Sequence, residues 1–239
     1  MSWRRRSRSD WGRLGMKYKM GKLSDIADII VGFAFKSASF NVNGDGVRLV
    51  RGKNVTHLAL RWGDDTRWWN DFSSIDLDKY YLKEGDILIG MDGSLVGKNY
   101  ARVRADDLPL LLVQRVACIR AKDGTNQDFL WSCISNIRFE LYINAIKTGT
   151  SIPHISGKQI AEYPIPCFSY LEQTRIGAVL RSLDDKIELN NKINENLQQQ
   201  ALCLYSDLTK EQSKNGYIGD YCTIKSGVSA GRKPPFRAG

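Results

Sequence analysis

"GTSIPHISGKQIAEYPIPCFSYLE" occupies Gly149–Glu172. It opens as a small polar turn, runs through Pro164 and Pro166, and closes where a long helical pattern starts. Its reading decides the fold because the chain changes period here. Upstream, over residues 22–168, short apolar runs are broken by Gly, Asn and Asp: "GVRLVRGKNV", "GDILIGMDGSLVGK" and "LPLLLVQRVACIRA". Their length and punctuation predict strands. One segment, "TNQDFLWSCISNIRFELYINAIK", has helical spacing through Phe129, Cys133, Ile137, Leu141 and Ala145. Trp62, Trp68 and Trp69 sit in a polar loop region, where packing is favoured over base stacking.

Downstream the pattern is a helix. Ser169 followed by Glu172 is a capping-box signature, and Pro166 disfavours an earlier start. A four-three spacing then links Ile176, Leu180, Leu183, Ile187, Asn190, Asn194, Leu197, Ala201, Leu204 and Leu208. That is a coiled-coil seam with two asparagines in its middle, which would set register at a cost in stability. About forty residues at 1.5 Å each give roughly 60 Å. So long a seam needs a second helix, from this chain or another; the alternative is that it folds back on the upstream domain. The expected fold class is therefore α+β: a mixed α/β domain over residues 21–168, then one long coiled-coil-forming helix over 169–212.

The formal net charge is +9, but residues 1–20 carry seven Arg/Lys against one Asp, and Arg232, Lys233 and Arg237 lie in the last nine residues. The body, 21–230, is balanced. A surface for nucleic acid must then be a local patch and not a global field. The five cysteines are widely spaced and the two histidines, His57 and His154, lack metal-ligand spacing, so no metal site is expected. An odd number of cysteines without a secretory signal favours a reducing cytoplasm. Residues 1–20 have arginines but no apolar core; they read as a disordered basic extension, or as lying ahead of a start at Met16 or Met20. No apolar run is long enough for a transmembrane helix. At the other end, "YIGDYCTIKSG" echoes "KLSDIADIIVG": Leu23, Asp25, Ile29 and Gly32 match Ile218, Asp220, Ile224 and Gly227 at one common offset. Residues 217–239 therefore read as the start of a second copy of the first domain.

Enzyme motifs fail on inspection. "GSLVGKN" has the wrong spacing for a phosphate loop and no hydroxyl residue after Lys98; "NGDGVR" lacks the third glycine of a dinucleotide turn. "KPPF" resembles an amino-methyltransferase motif, but its lysine is donor-only where an acceptor is needed. His57 and His154 have no nucleophile elbow, and Asp86 and Asp92 lack a following Glu-x-Lys, so both carboxylates read as turn residues. What remains is a set of polar turns: Arg51, Lys53 and Asn54; Lys98, Asn99 and Arg102; Gln114 and Arg115; and Lys147, Thr148, Gly149, Thr150 and Ser151, with Lys36 and Ser37 near the first apolar run. Arg, Lys, Asn and Gln read base edges, and Ser, Thr and loop amides hold phosphates.

Together, "KLSDIADIIVGFAFKS", "YLKEGDILIGMDGSLVGK", "LLVQRVACIRA" and the passage from Gly149 into "EQTRIGAVLRSLDDKIELNNKINENL" resemble the DNA-specificity (S) subunit of bacterial Type I restriction–modification enzymes. The resemblance covers about residues 21–230. It implies a target-recognition domain that reads one half of a bipartite double-stranded DNA site, and a spacer helix that pairs antiparallel with another. It implies a subunit with no catalysis of its own. Methyltransferase (M) subunits would supply S-adenosylmethionine chemistry, and restriction (R) subunits would use ATP and Mg²⁺. This chain resembles half of such a subunit, to be completed by a second copy or by another half subunit. A rival expectation is a coiled-coil adaptor, or inactive truncated remnant, that binds no DNA.

Overall fold

The computed structural model describes residues 19–72, 76–149, 152–210 and 222–223. In chain order its elements begin β1 (Met20–Lys22), α1 (Leu23–Ile26), β2 (Ala27–Val31), β3 (Val47–Val50), β4 (Trp68–Trp69), β5 (Ile87–Gly90), β6 (Tyr100–Arg102) and β7 (Leu110–Leu112). They continue with β8 (Val116–Ala121), α2 (Gln127–Ile134), α3 (Ile137–Ile146), α4 (Gly157–Ala161), β9 (Pro164–Pro166) and α5 (Tyr170–Thr209). The expected α+β class is what is found. By internal contacts the chain divides into Met1–Lys186 and Ile187–Gly239.

The first unit is layered. Strands β2, β8, β5 and β6 form an antiparallel sheet in that order, and β4, β3 and β7 form a second, with β3 and β7 parallel. "ILIG" in β5 is buried throughout, as expected of a strand covered on both faces. Ile87 and Ile89 face Phe129, Leu130, Ile134, Phe139 and Ile143 of α2 and α3. Leu88 faces the other way, into a cluster with Val50, Leu110, Leu112 and Cys118 that joins the two sheets. The alternation is the period-two geometry of a strand. Trp69 is buried against Phe35, while Trp62 donates to Asp107 at 3.1 Å and lies under Arg48 at 4.7 Å. Both tryptophans are packing residues, as favoured above.

One sequence expectation is corrected. The helical segment through Phe129, Cys133, Ile137, Leu141 and Ala145 is two helices, broken at Ser135–Asn136. The Asn136 side chain accepts from Arg138 N and Phe139 N at the start of α3, and donates to the Ser132 and Cys133 carbonyls at the end of α2. One asparagine thus satisfies the end of one helix and the start of the next. The break rotates the inward face: Ile137 and Leu141 are exposed, and Phe139, Tyr142 and Ile143 are buried. "LPLLLVQRVACIRA" is strand as expected, in two pieces, β7 and β8, joined by a turn at Val113–Val116.

The start of α5 belongs to the first unit. Ser169 N donates to Glu172 Oε2 at 2.8 Å and Glu172 N reaches Ser169 Oγ at 3.4 Å, the expected capping box. Gln173 is buried; it accepts from Asn126 N and donates to the Phe168 carbonyl, both at 3.0 Å. Ile176 packs on the core. Gly177 lies so close to α2 that a Cβ there would stand 2.6 Å from Asn126 Oδ1 and 2.9 Å from Phe129 N. Arg181 and Asp184 complete the anchor, on Asp128 at 3.1 Å and on the Trp131 ring N–H at 2.8 Å.

From Leu180 on, the seam has no cover within the chain among the described residues. Leu183, Ile187, Asn190, Asn194, Leu197, Ala201, Leu204 and Leu208 are all exposed. Exposed Val179, Leu189, Ile193, Leu202 and Tyr205 widen the apolar surface beyond the four-three positions. Among the described residues no helix is long and apolar enough to cross a membrane. The matched positions Ile218, Asp220, Ile224 and Gly227, and Lys233–Phe236, lie outside the described residues, as does nearly all of the basic extension.

Candidate nucleic-acid interface

The register of the four-stranded sheet fixes what meets at each end. Val31 pairs with Ala117, Gly90 with Val116, and Ile89 with Tyr100. One end therefore collects the close of β2, the start of β8, the close of β5 and the start of β6. Gln114–Arg115 joins β7 to β8 and Lys98–Asn99 leads into β6 at this end, while Arg51–Asn54, which follows β3, and the 147–154 loop, which follows α3, reach the same end through contacts with Asp92 and Gly93.

The Gln114–Arg115 turn is at the middle. Gln114 N donates to Phe33 O at 2.8 Å, Met91 N to Arg115 O at 2.9 Å, and Val116 N to Val113 O at 3.3 Å. Gly32 allows the approach: a Cβ there would stand 2.1 Å from Val113 O. Arg115 has φ of 70°, a left-handed conformation at the turn position where glycine is usual. Gln114 and Arg115 are both exposed.

Next to it, Asp92 and Gly93 pair with the 147–154 loop. Gly93 N donates to Pro153 O and Ile155 N to Met91 O, at 3.0 and 2.9 Å. Within that loop Thr148 and His154 exchange backbone hydrogen bonds at 3.0 and 2.8 Å, and Thr148 Oγ1 lies 3.0 Å from His154 Nε2. Gly149 is left-handed, at φ of 87°. Lys147 reaches Asn144 Oδ1 at 2.8 Å. Thr150 and Ser151 lie outside the described residues.

Lys53 and Val55–His57 on one side, and Leu95, Lys98, Asn99 and Glu140 on the other, line an open cavity of about 490 Å³. Their cations are already paired: Lys53 with Asp65, and Lys98 with Glu140 at 3.2 Å. Such exposed pairs are worth about 0–1 kcal/mol and are easily exchanged for a ligand. Burial pulls the Arg51 guanidinium below its ordinary value, and its Nε is buried without a partner. Lys36 and Ser37 are exposed on the segment that follows β2.

Two singled-out residues are placed differently. Asn54 is buried; its side chain accepts from Arg51 N and donates to Arg61 O, so it shapes the turn. Arg102 sits at the far end of β6, opposite Ile87, with its guanidinium on Asp128. Asp86 is buried under a two-pronged contact from Arg120, at 2.8 and 2.6 Å, a structural ion pair. Asp92, set aside in the sequence as a turn carboxylate, lies among the loops. Its i-to-i+23 approach to Arg115 leaves no local signal in the sequence.

The model of the Type I restriction modification DNA specificity domain matches residues 16–199. The chain belongs to that family. As a specificity-domain protein it is 35% identical over 189 residues to the Type I restriction enzyme EcoAI specificity subunit of Escherichia coli, covering 77% of this chain and 29% of that one. It is 27% identical over 198 residues to the MjaVIII specificity subunit of Methanocaldococcus jannaschii, covering 80% and 45%. The chain thus spans less than half the length of these relatives. Its fold is shared with the Type I restriction–modification system S subunit from M. genitalium, at a TM-score of 0.51, 19% identity, and coverage of 77% of this chain and 44% of that one. A chain described under complex assembly of the type I R-M system aligns with a TM-score of 0.55 at 19% identity, covering 81% and 45%.

Proposed function

We propose that this chain reads one half of a bipartite double-stranded DNA target and couples that reading to methyltransferase subunits through α5. The observation that carries the proposal is the convergence of polar loops on one end of the four-stranded sheet in a specificity-domain protein. Lys36, Ser37, Arg51, Lys53, Lys98 and Asn99, with Lys147, Thr148 and Gly149, would hold the DNA backbone; Gln114 and Arg115 would face base edges. Loop amides supply further donors to phosphate. The balanced charge of the body supports selective over general binding, because little of the surface would attract phosphates regardless of sequence.

In this reading the chain carries no catalysis. Partner methyltransferase subunits use S-adenosylmethionine, and partner restriction subunits use ATP and Mg²⁺, in the bacterial cytoplasm. A second reading head comes with a second helix, from another copy of this chain or another half subunit. The exposed seam supports that pairing, and an isologous pair would present two identical heads.

The test is to map methylated DNA motifs in cells with and without this gene. Loss of one bipartite motif on deletion is the expected result, and a symmetric motif would mark a pair of identical heads. An unchanged set of motifs would sink the proposal.

A further inference from the structure

Arg115 differs from the other cations at this end of the sheet. Its backbone is left-handed, its turn is pinned by neighbouring strands, and its side chain is 63% exposed. Among the described residues its side-chain partner is Asp92, with Nε 3.9 Å from Oδ2. That is an ion pair and not a hydrogen bond. The donors of the guanidinium fork are therefore unspent, while the carboxylate biases where the fork points. Asp92 is itself fixed. Its backbone neighbours pair with the 153–155 segment, and its Oδ1 lies 3.1 Å from where a Cβ would stand on Gly52. Three loops thus close on one carboxylate.

A carboxylate held beside an arginine makes phosphate the poorer ligand, because the acid repels it unless the pair comes apart, as Lys53–Asp65 and Lys98–Glu140 would have to. A base edge carries no such penalty. In the major groove guanine offers two adjacent acceptors, O6 and N7, which match a planar fork, and the paired cytosine offers a donor that a nearby carboxylate tolerates. We propose that Arg115 reads a guanine within the half-site, and that Asp92 is the positioning residue that aims it. The inference rests on the DNA-reading function above and deepens it, since it commits one position of the unknown target to a G·C pair.

The experiment places Asp92→Asn, Arg115→Lys and the double substitution on the chromosome of the organism that carries the gene, and maps methylated motifs beside the unsubstituted and deleted strains. Melting of each purified full-length protein checks folding. Expected is a bipartite motif in which one G·C position is relaxed, with preference there reduced about tenfold by Arg115→Lys. Asp92→Asn should relax the same position and no other, and should add nothing once Arg115 is lysine. A merely structural role for Asp92 would instead weaken every position together and lower the melting temperature. That outcome overturns the inference, as does a motif that survives both substitutions unchanged. If deletion removes no motif, the DNA-reading function and the inference fall together; a motif that vanishes on deletion yet ignores both residues sinks the inference alone.

Discussion

Arg115 shows how much a single backbone angle can say about a residue. A non-glycine side chain at φ of 70° costs stability, of order 1 kcal/mol or more, and such strain concentrates at functional positions. Arg115→Gly should therefore stabilise the fold by about 1 kcal/mol, a rise of about 2–4 °C in melting temperature for a chain of this size. The same change should relax the preference at the one G·C position assigned to Arg115 and leave the other positions of the motif in place. A fall in melting temperature would show that the arginine contributes packing instead. At this scale the sequence was partly legible. "VQRVACIR" marked Gln114 and Arg115 through residue type alone, but the left-handed angle was hidden because nothing at position 115 announces it as glycine would. Asn54 was chosen for its amide and turned inward, because a side chain that bonds its own turn has the same composition as one that faces a ligand.

The passage from the first unit into α5 is the element whose sequence and structure agree most closely. "SYLEQTRIG" has a role at nearly every other residue: Ser169 and Glu172 cap, Gln173 is buried on Asn126, Ile176 packs, and Gly177 allows contact with α2. Two opposed effects act on Gly177→Ala. Helix propensity favours alanine by about 1 kcal/mol. The added Cβ, 2.9 Å from Phe129 N, forces backbone to move at a cost of up to about 3 kcal/mol. The clash wins, and thermal unfolding should show a net loss of about 2 kcal/mol. The cap has a pH signature. Hydrogen bonds from the Ser169 hydroxyl and then its backbone amide hold the Glu172 carboxyl below its ordinary value. A depressed carboxyl stabilises the fold above its unfolded value, near 4.5, and that stability is lost as pH falls through the lower folded value. Glu172→Gln should thus lower stability at neutral pH and flatten the acid limb of the unfolding curve. An acid limb unchanged by the substitution would contradict the cap. Sequence patterning located these caps because they are local. It missed the break at Asn136, where apolar spacing continued through a residue that was busy capping two helices.

For the whole molecule, the decisive relation is long-range and was not readable from the chain. Each polar turn was visible as a turn, but their meeting depends on strand register between segments dozens of residues apart. Composition narrowed the answer to a local patch by assigning the excess charge to the two ends, and the end of the sheet where the polar loops meet is where the proposed function puts it. The seam poses the matching question for α5. Leu183, Ile187 and Leu197 are 50%, 59% and 56% exposed, too many apolar side chains for a helix that stays alone in water. If two copies pair through this face, each side chain counts twice. Burial of a Leu or Ile is worth about 1.5–3 kcal/mol when complete. Even at about 1 kcal/mol apiece, replacing all three by glutamine removes about 6 kcal/mol from the pair, roughly four orders of magnitude in dissociation constant. Sedimentation of the full-length protein should therefore show a dimer that becomes a monomer on triple substitution, with the unfolding of the first unit unchanged because none of the three is among its core residues. Asn190→Leu with Asn194→Leu should act oppositely. The pair should tighten, since two polar side chains leave an apolar interface, while the single register and orientation they impose is lost. A monomer at every concentration in the unsubstituted protein would move the partner helix to a different chain, and the symmetric target with it.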